Sequence, residues 1–294
     1  MSGNQSATES VVRLATRNIF EALLRSFAER GCVDPELFSC FGRGLLSDKE
    51  ILEQYEQGNI IIHPFNRADL GTSSYDLRLG NFFYVERIPQ GNRIRIFNPY
   101  SEAHVRRVWG EQPVQGVLRE KLENRKMLLD YLQKRAELRD IQPHNVMVSR
   151  LEEELESFRP EEELFFLFPG ETVLAHTNEF IGYKQYGTTM MKARSSVGRS
   201  FLEVCKCAGM GDAGYFNRWT MEITNNSRHH IIPLVVGRRV AQLAFFHVGE
   251  TIGDYNSNGK YQQTQDLGEL VRSWNTSMML PRLYADRDAV PRPR

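Results

Sequence analysis

Cysteine is scarce in this chain, with four residues in 294, Cys32, Cys40, Cys205 and Cys207. That number and spacing supply neither a disulfide framework nor a zinc motif. Cys205 and Cys207 are expected on one strand and on one face, where they either ligate a metal or, as the preferred reading, are small buried hydrophobes. Net charge is also absent, because 37 basic residues balance 37 acidic ones. Nothing in the overall field therefore attracts nucleic acid or an anionic membrane, and any anion site has to be locally basic. No run of about 18 apolar residues is available to span a bilayer. Met1-Ser2-Gly3-Asn4-Gln5 lacks the basic and apolar regions of a secretory signal, so the expected compartment is the cytoplasm. There is no internal repeat of 20 to 50 residues and no low-complexity tract.

What the chain has is short strands. Ile60–Ile62, Tyr75–Leu79, Phe82–Val85, Arg93–Ile96, Leu164–Phe168, Thr172–His176, Ile231–Val236 and Val240–Phe246 are rich in β-formers and separated by Gly, Pro and Asn. Many short strands with turn signals argue a barrel or a jelly-roll sandwich. Three stretches break that pattern. Residues 9 to 30 have near-helical apolar spacing and stop at Gly31, giving an N-terminal helical extension over 1–45 that either docks a partner or packs on its own core. Residues 105–160 carry one stripe of Leu118, Leu122, Leu129, Leu132 and Ala136 and another of Val148, Leu151, Leu155 and Phe158, so a helical hairpin is expected there as an insertion. Residues 269–294 are expected as a polar tail.

The densest chemistry lies between Arg194 and Glu222. Arg194-Ser195-Ser196-Val197-Gly198-Arg199 groups two guanidinium forks and two hydroxyls around a glycine, a combination suited to phosphate oxygens. Asp212-Ala213-Gly214-Tyr215 follows, and then Glu222 inside the β-forming run Trp219–Thr224, where a strand can hold a carboxylate rigidly. A carboxylate in that setting can serve in turn as general base and general acid.

These residues resemble the dCTP deaminase family, whose members share a fold with trimeric dUTPases. The likeness recurs in order along the chain at Leu46–Ile51, Ser73–Gly80, Phe168–Gly170 with Thr177–Glu179, the Arg194 to Glu222 segment, Gly237–Leu243 and Gly259–Gln262. It covers roughly 46 to 103 and 164 to 268. The resemblance implies a distorted β-barrel, or jelly roll, of the trimeric dUTPase type over 46–268, interrupted by the 105–160 insertion, in a homotrimer with sites between subunits. It implies hydrolytic deamination of dCTP to dUTP and ammonia without zinc, and the His-x-Glu and Pro-Cys-x-x-Cys signature of zinc nucleobase deaminases is indeed missing from the sequence.

Residue roles come with the resemblance. Glu222 is the catalytic carboxylate, Arg199 its cationic companion and Ser195 an orienting hydroxyl. Arg194 and Ser196 contact phosphate, with Val197 and Gly198 in the same loop. Ala208 sits beside the pyrimidine, the backbone at Thr220 and Met221 reads its edge, Asp212 takes the sugar 3′-hydroxyl, and Tyr215 packs under the sugar. Tyr255, Lys260 and Tyr261 belong to a lid over the triphosphate, with Lys260 on the γ-phosphate. Gln242 resembles the glutamine of dUTPases and of deaminases that continue to dUMP and pyrophosphate; a polar residue satisfied within the sheet is the other reading. Mg2+ is expected on the triphosphate rather than on a protein ligand cluster, and dTTP is the expected feedback inhibitor. Two departures put the turn at Asp212 in question: Gly211 replaces an apolar residue and Asn217 replaces glycine. A dUTP pyrophosphatase and a non-catalytic deoxynucleotide sensor are the competing functions.

Overall fold

The structure is a computed structural model, and it describes residues 44–87, 95–122, 125–138, 155–184, 186–249, 251–253, 255, 259–262 and 264–286. The expected helix at 9–30 and the second stripe's Val148 and Leu151 lie outside the described residues. So does the 287–294 end.

The core is all antiparallel. Its centre is β7 (Thr172–Tyr183), a 12-residue strand flanked by β11 (Phe216–Asn225) and by the short strands β1 (Ile60–His63) and β3 (Phe82–Val85). β9 (Leu202–Val204) extends this sheet beyond β11, and β4 (Val114–Gln115) extends it beyond β3. A second sheet orders β10 (Met210–Gly211), β8 (Gly187–Ala193), β13 (Arg239–His247) and β2 (Tyr75–Arg78). A third joins β12 (Ile232–Val235), β6 (Glu163–Leu167) and β5 (Val117–Leu118). Period-two alternation sends one face of each strand inward, so Tyr75 and Leu77, Ile181 and Tyr183, Met221 and Ile223, and Leu243 and Phe245 meet in one apolar interior. This is the all-β architecture that the strand spacing implies.

The opening segment Leu46–Ile51 turns out to be a helix start. Ser47 caps α1 (Asp48–Glu56) with a reciprocal capping box to Glu50, and Leu46 donates its N–H to Phe245 at 2.9 Å, which ties the cap to β13. The only part of the expected Arg93–Ile96 strand that is described, Arg95 and Ile96, has no strand structure, and Ile96 is 90% exposed.

The 105–160 stretch differs from a simple hairpin. Its first helix, α2 (Glu102–Trp109), begins before it. Leu118 lies in β5, paired to β6 with its backbone satisfied by the sheet, while Leu122 closes a 3-10 turn. Helix α3 (Arg125–Leu138) buries Leu128, Leu132 and Ala136 against Leu164, Phe166, Phe168 and Val235. Leu129 is only half-buried. This helix packs on the outer face of the third sheet, and the buried Arg135–Glu171 pair at 2.8 Å fixes it to the loop before β7.

Residues 269–286, expected as tail, are folded. α5 (Leu267–Ser273), capped by Asp266, continues into 3-10 turns at Thr276–Met279 and Leu283–Ala285. Leu270, Met279 and Leu280 are buried, the last two beside Tyr84, Val105 and Leu174. Their apolar side chains cover the β7/β11 face that holds Glu222.

Candidate active site

β11 carries two opposite faces. Trp219, Met221 and Ile223 enter the core, while Arg218, Thr220 and Glu222 point to the other side. The strand is held firmly, because Trp219 donates its backbone N–H to Thr177 Oγ1 and its indole N–H to the Ile181 carbonyl, each at 2.9 Å. A bulge in the pairing with β7 falls between Arg218 and Thr220. Bulges re-aim side chains, and this one sits beside the cavity. Glu222 opens into a cavity of about 460 Å3 whose walls include Ala208, Asp212, Tyr215, Thr220, Tyr255, Lys260 and Tyr261. Eight of the residues singled out from sequence, Glu222 included, therefore meet in one place.

Burial pushes the Glu222 carboxyl above its ordinary value, opposed by its own backbone N–H and by the Lys206 ammonium. Lys206 belongs to a left-handed turn after β9, with φ of 63° at Cys205 and 33° at Lys206, closed by an Ala208 N–H bond to the Cys205 carbonyl at 2.8 Å. That turn delivers Ala208 to the cavity. Because β9 ends at Val204, the two thiols do not share a face: Cys205 is buried and Cys207 exposed. Burial raises the Cys205 thiol to about 12.

The Asp212 turn is intact despite its two departures. Tyr215 donates to the Asp212 carbonyl at 3.0 Å and Gly214, at φ 94°, donates to Tyr183 at 3.1 Å. A Cβ on Gly211 would lie 2.5 Å from both Thr189 Oγ1 and the Trp219 ring, so the indole fills the space an apolar side chain would take. Asn217 is buried; its Nδ2 donates to the Tyr261 carbonyl at 2.8 Å and its Oδ1 accepts from Arg218, an anchor that glycine cannot provide. Tyr215 meets Trp219 and Tyr255 edge-on, each at 5.3 Å. Burial raises the Tyr215 hydroxyl pKa, with Tyr255 and Tyr261 adding to it.

The 259–262 segment closes one side. Gln262 is buried and committed, its Oε1 accepting from Phe216 N–H at 2.8 Å and its Nε2 donating to the Thr264 carbonyl at 3.1 Å. Lys260 pairs with Asp286. The C-terminal segment supplies further wall that sequence reasoning missed, namely Trp274, Met278, Met279 and Pro281. Arg218 was missed too. Its guanidinium lies 4.9 Å from the Phe180 ring centroid and 4.7 Å from that of Trp274, and its buried Nε has no hydrogen-bond partner among the described residues. The signal for the segment was the apolar series Leu270, Trp274, Met278 to Leu280 within polar sequence. For Arg218 it was a basic residue in the middle of a β-run.

The Arg194 to Arg199 motif lies apart from this cavity, and none of its residues lines it. Ser195–Arg199 form a short helix, α4, on which Ser195, Ser196, Gly198 and Arg199 are exposed and Val197 rests on the core. Within one chain, then, Arg199 is not the cation acting on Glu222; Lys206 is. Arg194 Nε lies 3.2 Å from Asp76, which Arg239 also reaches at 3.2 Å. Gln242 is opposite Asp76 on one side and Lys192 on the other, so it belongs to this arginine group rather than to the Glu222 cavity. Met221 is fully buried and is not among the residues that line the cavity, so of the expected edge-reading pair only Thr220 reaches it.

A sequence profile described as dCTP deaminase-like matches residues 45–116 and 121–248. The chain belongs to the dCTP deaminase-like family. Curated relatives include a protein of Nanoarchaeum equitans named dCTP deaminase, dUMP-forming, 27% identical over 217 residues, which are 73% of this chain and 90% of that one. Another of the same name from Hydrogenobaculum is 30% identical over 208 residues, 70% of this chain and 84% of its own. Among solved structures, the 2′-deoxycytidine 5′-triphosphate deaminase of Agrobacterium tumefaciens aligns with 70% of this chain and 49% of its own, at 16% identity and a TM-score of 0.42. Family membership fits the all-β core. The C-terminal segment that walls the cavity lies beyond the matched residues.

Proposed function

We propose that this chain hydrolyses dCTP to dUTP and ammonia with Glu222 as the proton carrier, and continues to dUMP and pyrophosphate. One observation carries the reading: Glu222 projects from a rigid strand into a cavity it shares with Asp212 and Tyr215. Water adds to C4 of the cytosine as Glu222 accepts its proton, and the C–N bond breaks as Glu222 returns that proton to the departing amine. A partly buried carboxyl with a raised pKa is suited to both halves of that transfer. Asp212 takes the 3′-hydroxyl. Tyr215 would clash with a 2′-hydroxyl, selecting deoxyribose, and Ala208 with the backbone at Thr220 receives the base.

Ser195, Ser196, Arg194 and Arg199, with Val197 and Gly198, meet the substrate from a neighbouring subunit of a homotrimer. Arg199 then stabilises the charge that develops on the attacked ring. The exposure of α4 and its separation from the cavity within one chain support that arrangement. Gln242 travels with this group, and the dUMP-forming names of the relatives support the second step. Asp212 is assigned to the sugar and Glu222 to the proton, which leaves the phosphate oxygens to carry Mg2+; when bound there it offsets phosphate charge. The expected setting is the cytoplasmic nucleotide pool, with dTTP as feedback inhibitor. No helix among the described residues is long and apolar enough to cross a membrane.

Incubation of the purified chain with dCTP and magnesium, followed by anion-exchange separation and ammonia assay, tests the reading. Ammonia with dUMP is expected. Glu222→Gln should lower the rate by about 10^2- to 10^4-fold, and near-normal ammonia release from that variant would defeat the assignment. Pyrophosphate from dUTP with no ammonia from dCTP would make the chain a dUTP pyrophosphatase.

A further inference from the structure

The residues that follow the family match hold the lid from behind. Arg282 Nη1 donates to the Lys260 carbonyl at 2.6 Å, its backbone N–H donates to the Tyr261 hydroxyl at 3.1 Å, and its guanidinium lies 5.7 Å from the Tyr261 ring centroid. Asp286 completes the grip by pairing with the Lys260 ammonium, both side chains being about one-third exposed. Lys260, Tyr261 and Pro281 all line the cavity of Glu222. The lid cation is thus already paired with a carboxylate, and both Lys260 and Asp286 lie beyond the matched residues.

We infer that Asp286 is a positioning and specificity residue which holds Lys260 in place and competes with the terminal phosphates of the nucleotide for it, thereby setting how strongly the site distinguishes a triphosphate from a monophosphate. The inference rests on the functional reading above. The Asp286 carboxylate already neutralises part of the Lys260 charge, so a phosphate oxygen arriving at Lys260 competes with it for the same ammonium. The same pair keeps the flexible lysine stem near the cavity before substrate arrives, since a long side chain otherwise samples many rotamers. Removing the charge at Asp286 while keeping its shape leaves Lys260 free for phosphate. A partly exposed pair is modest in strength, so the gain in triphosphate affinity is modest as well.

The test measures binding of dCTP and dCMP by calorimetry with magnesium, and kcat and KM for dCTP, in the full chain, in Asp286→Asn and in Asp286→Glu. Asp286→Asn should tighten dCTP by about two- to five-fold and leave dCMP unchanged, with the kinetic effect on KM rather than kcat. Asp286→Glu should restore the wild-type ratio. Equal changes for dCTP and dCMP, weaker dCTP binding, or no change in either would overturn the competition. Failure of the unaltered chain to bind or deaminate dCTP would instead overturn the functional reading.

Discussion

Glu222 and Glu179 show how the same side chain takes different roles from its surroundings. Both are pushed toward the neutral form by burial, but Glu222 faces the cavity while Glu179 is 1% exposed and accepts the Arg78 N–H at 3.0 Å. For Glu222 the raised value means that deamination should lose its base on the acid side at a higher pH than an ordinary carboxylate would. A pH–rate profile of kcat/KM should place that limb above the usual Glu range. For Glu179, raised from 4.5 to about 7, the folded chain keeps a proton that the unfolded chain has already released. Stability therefore falls as pH rises through that window. Glu179→Gln keeps an acceptor without the charge, so its unfolding free energy relative to wild type should improve from pH 4.5 to 7, by on the order of 3 kcal/mol at the top. Denaturant titrations across that range measure it, and a difference independent of pH would refute the assignment. That Glu222, Asp212 and Tyr215 line one cavity was legible because each sits in a motif suited to a shared site. Arg218 was not, since a strand arginine looks like surface charge until the rings of Phe180 and Trp274 enclose it.

The strands were legible as elements because alternation records burial directly, and most fall within a residue or two of expectation. Arg95 and Ile96 formed none, and among the strands that formed β7 departs most, running on to Tyr183 where only Thr172–His176 had been marked. It is buried on both faces for much of its length, which removes the alternation that would have traced it. The C-terminal segment was illegible for a different reason. Its apolar residues switch from α to 3-10 spacing between Leu270 and Met279, so no single period fits. Trp274 anchors it, with the His176 ring 5.0 Å away and Arg218 on its face. Trp274→Ala removes a cation–π contact and part of a buried ring, and should cost about 2 kcal/mol locally. Limited proteolysis should then cut within 266–286 well before the barrel unfolds; unchanged cleavage would show that Trp274 is not the anchor.

At the scale of the whole molecule, order of motifs identified the family and strand spacing gave the fold class. The separation of Glu222 from the Arg194 to Arg199 group was not readable, because sequence proximity says nothing about which side of a barrel a helix occupies. In the proposed trimer each working centre draws on two chains, so defects on opposite sides of it need not coincide. Chains bearing only Glu222→Gln and chains bearing only Arg199→Ala should each be inactive alone, yet after unfolding and refolding together they should regain about a quarter of the wild-type rate under random assembly. Rate assays on the mixture and on each variant refolded separately check this. Two dead proteins making one live enzyme is a genetic signature, interallelic rescue, and it would follow here from nothing more than a five-residue helix facing away from its own carboxylate.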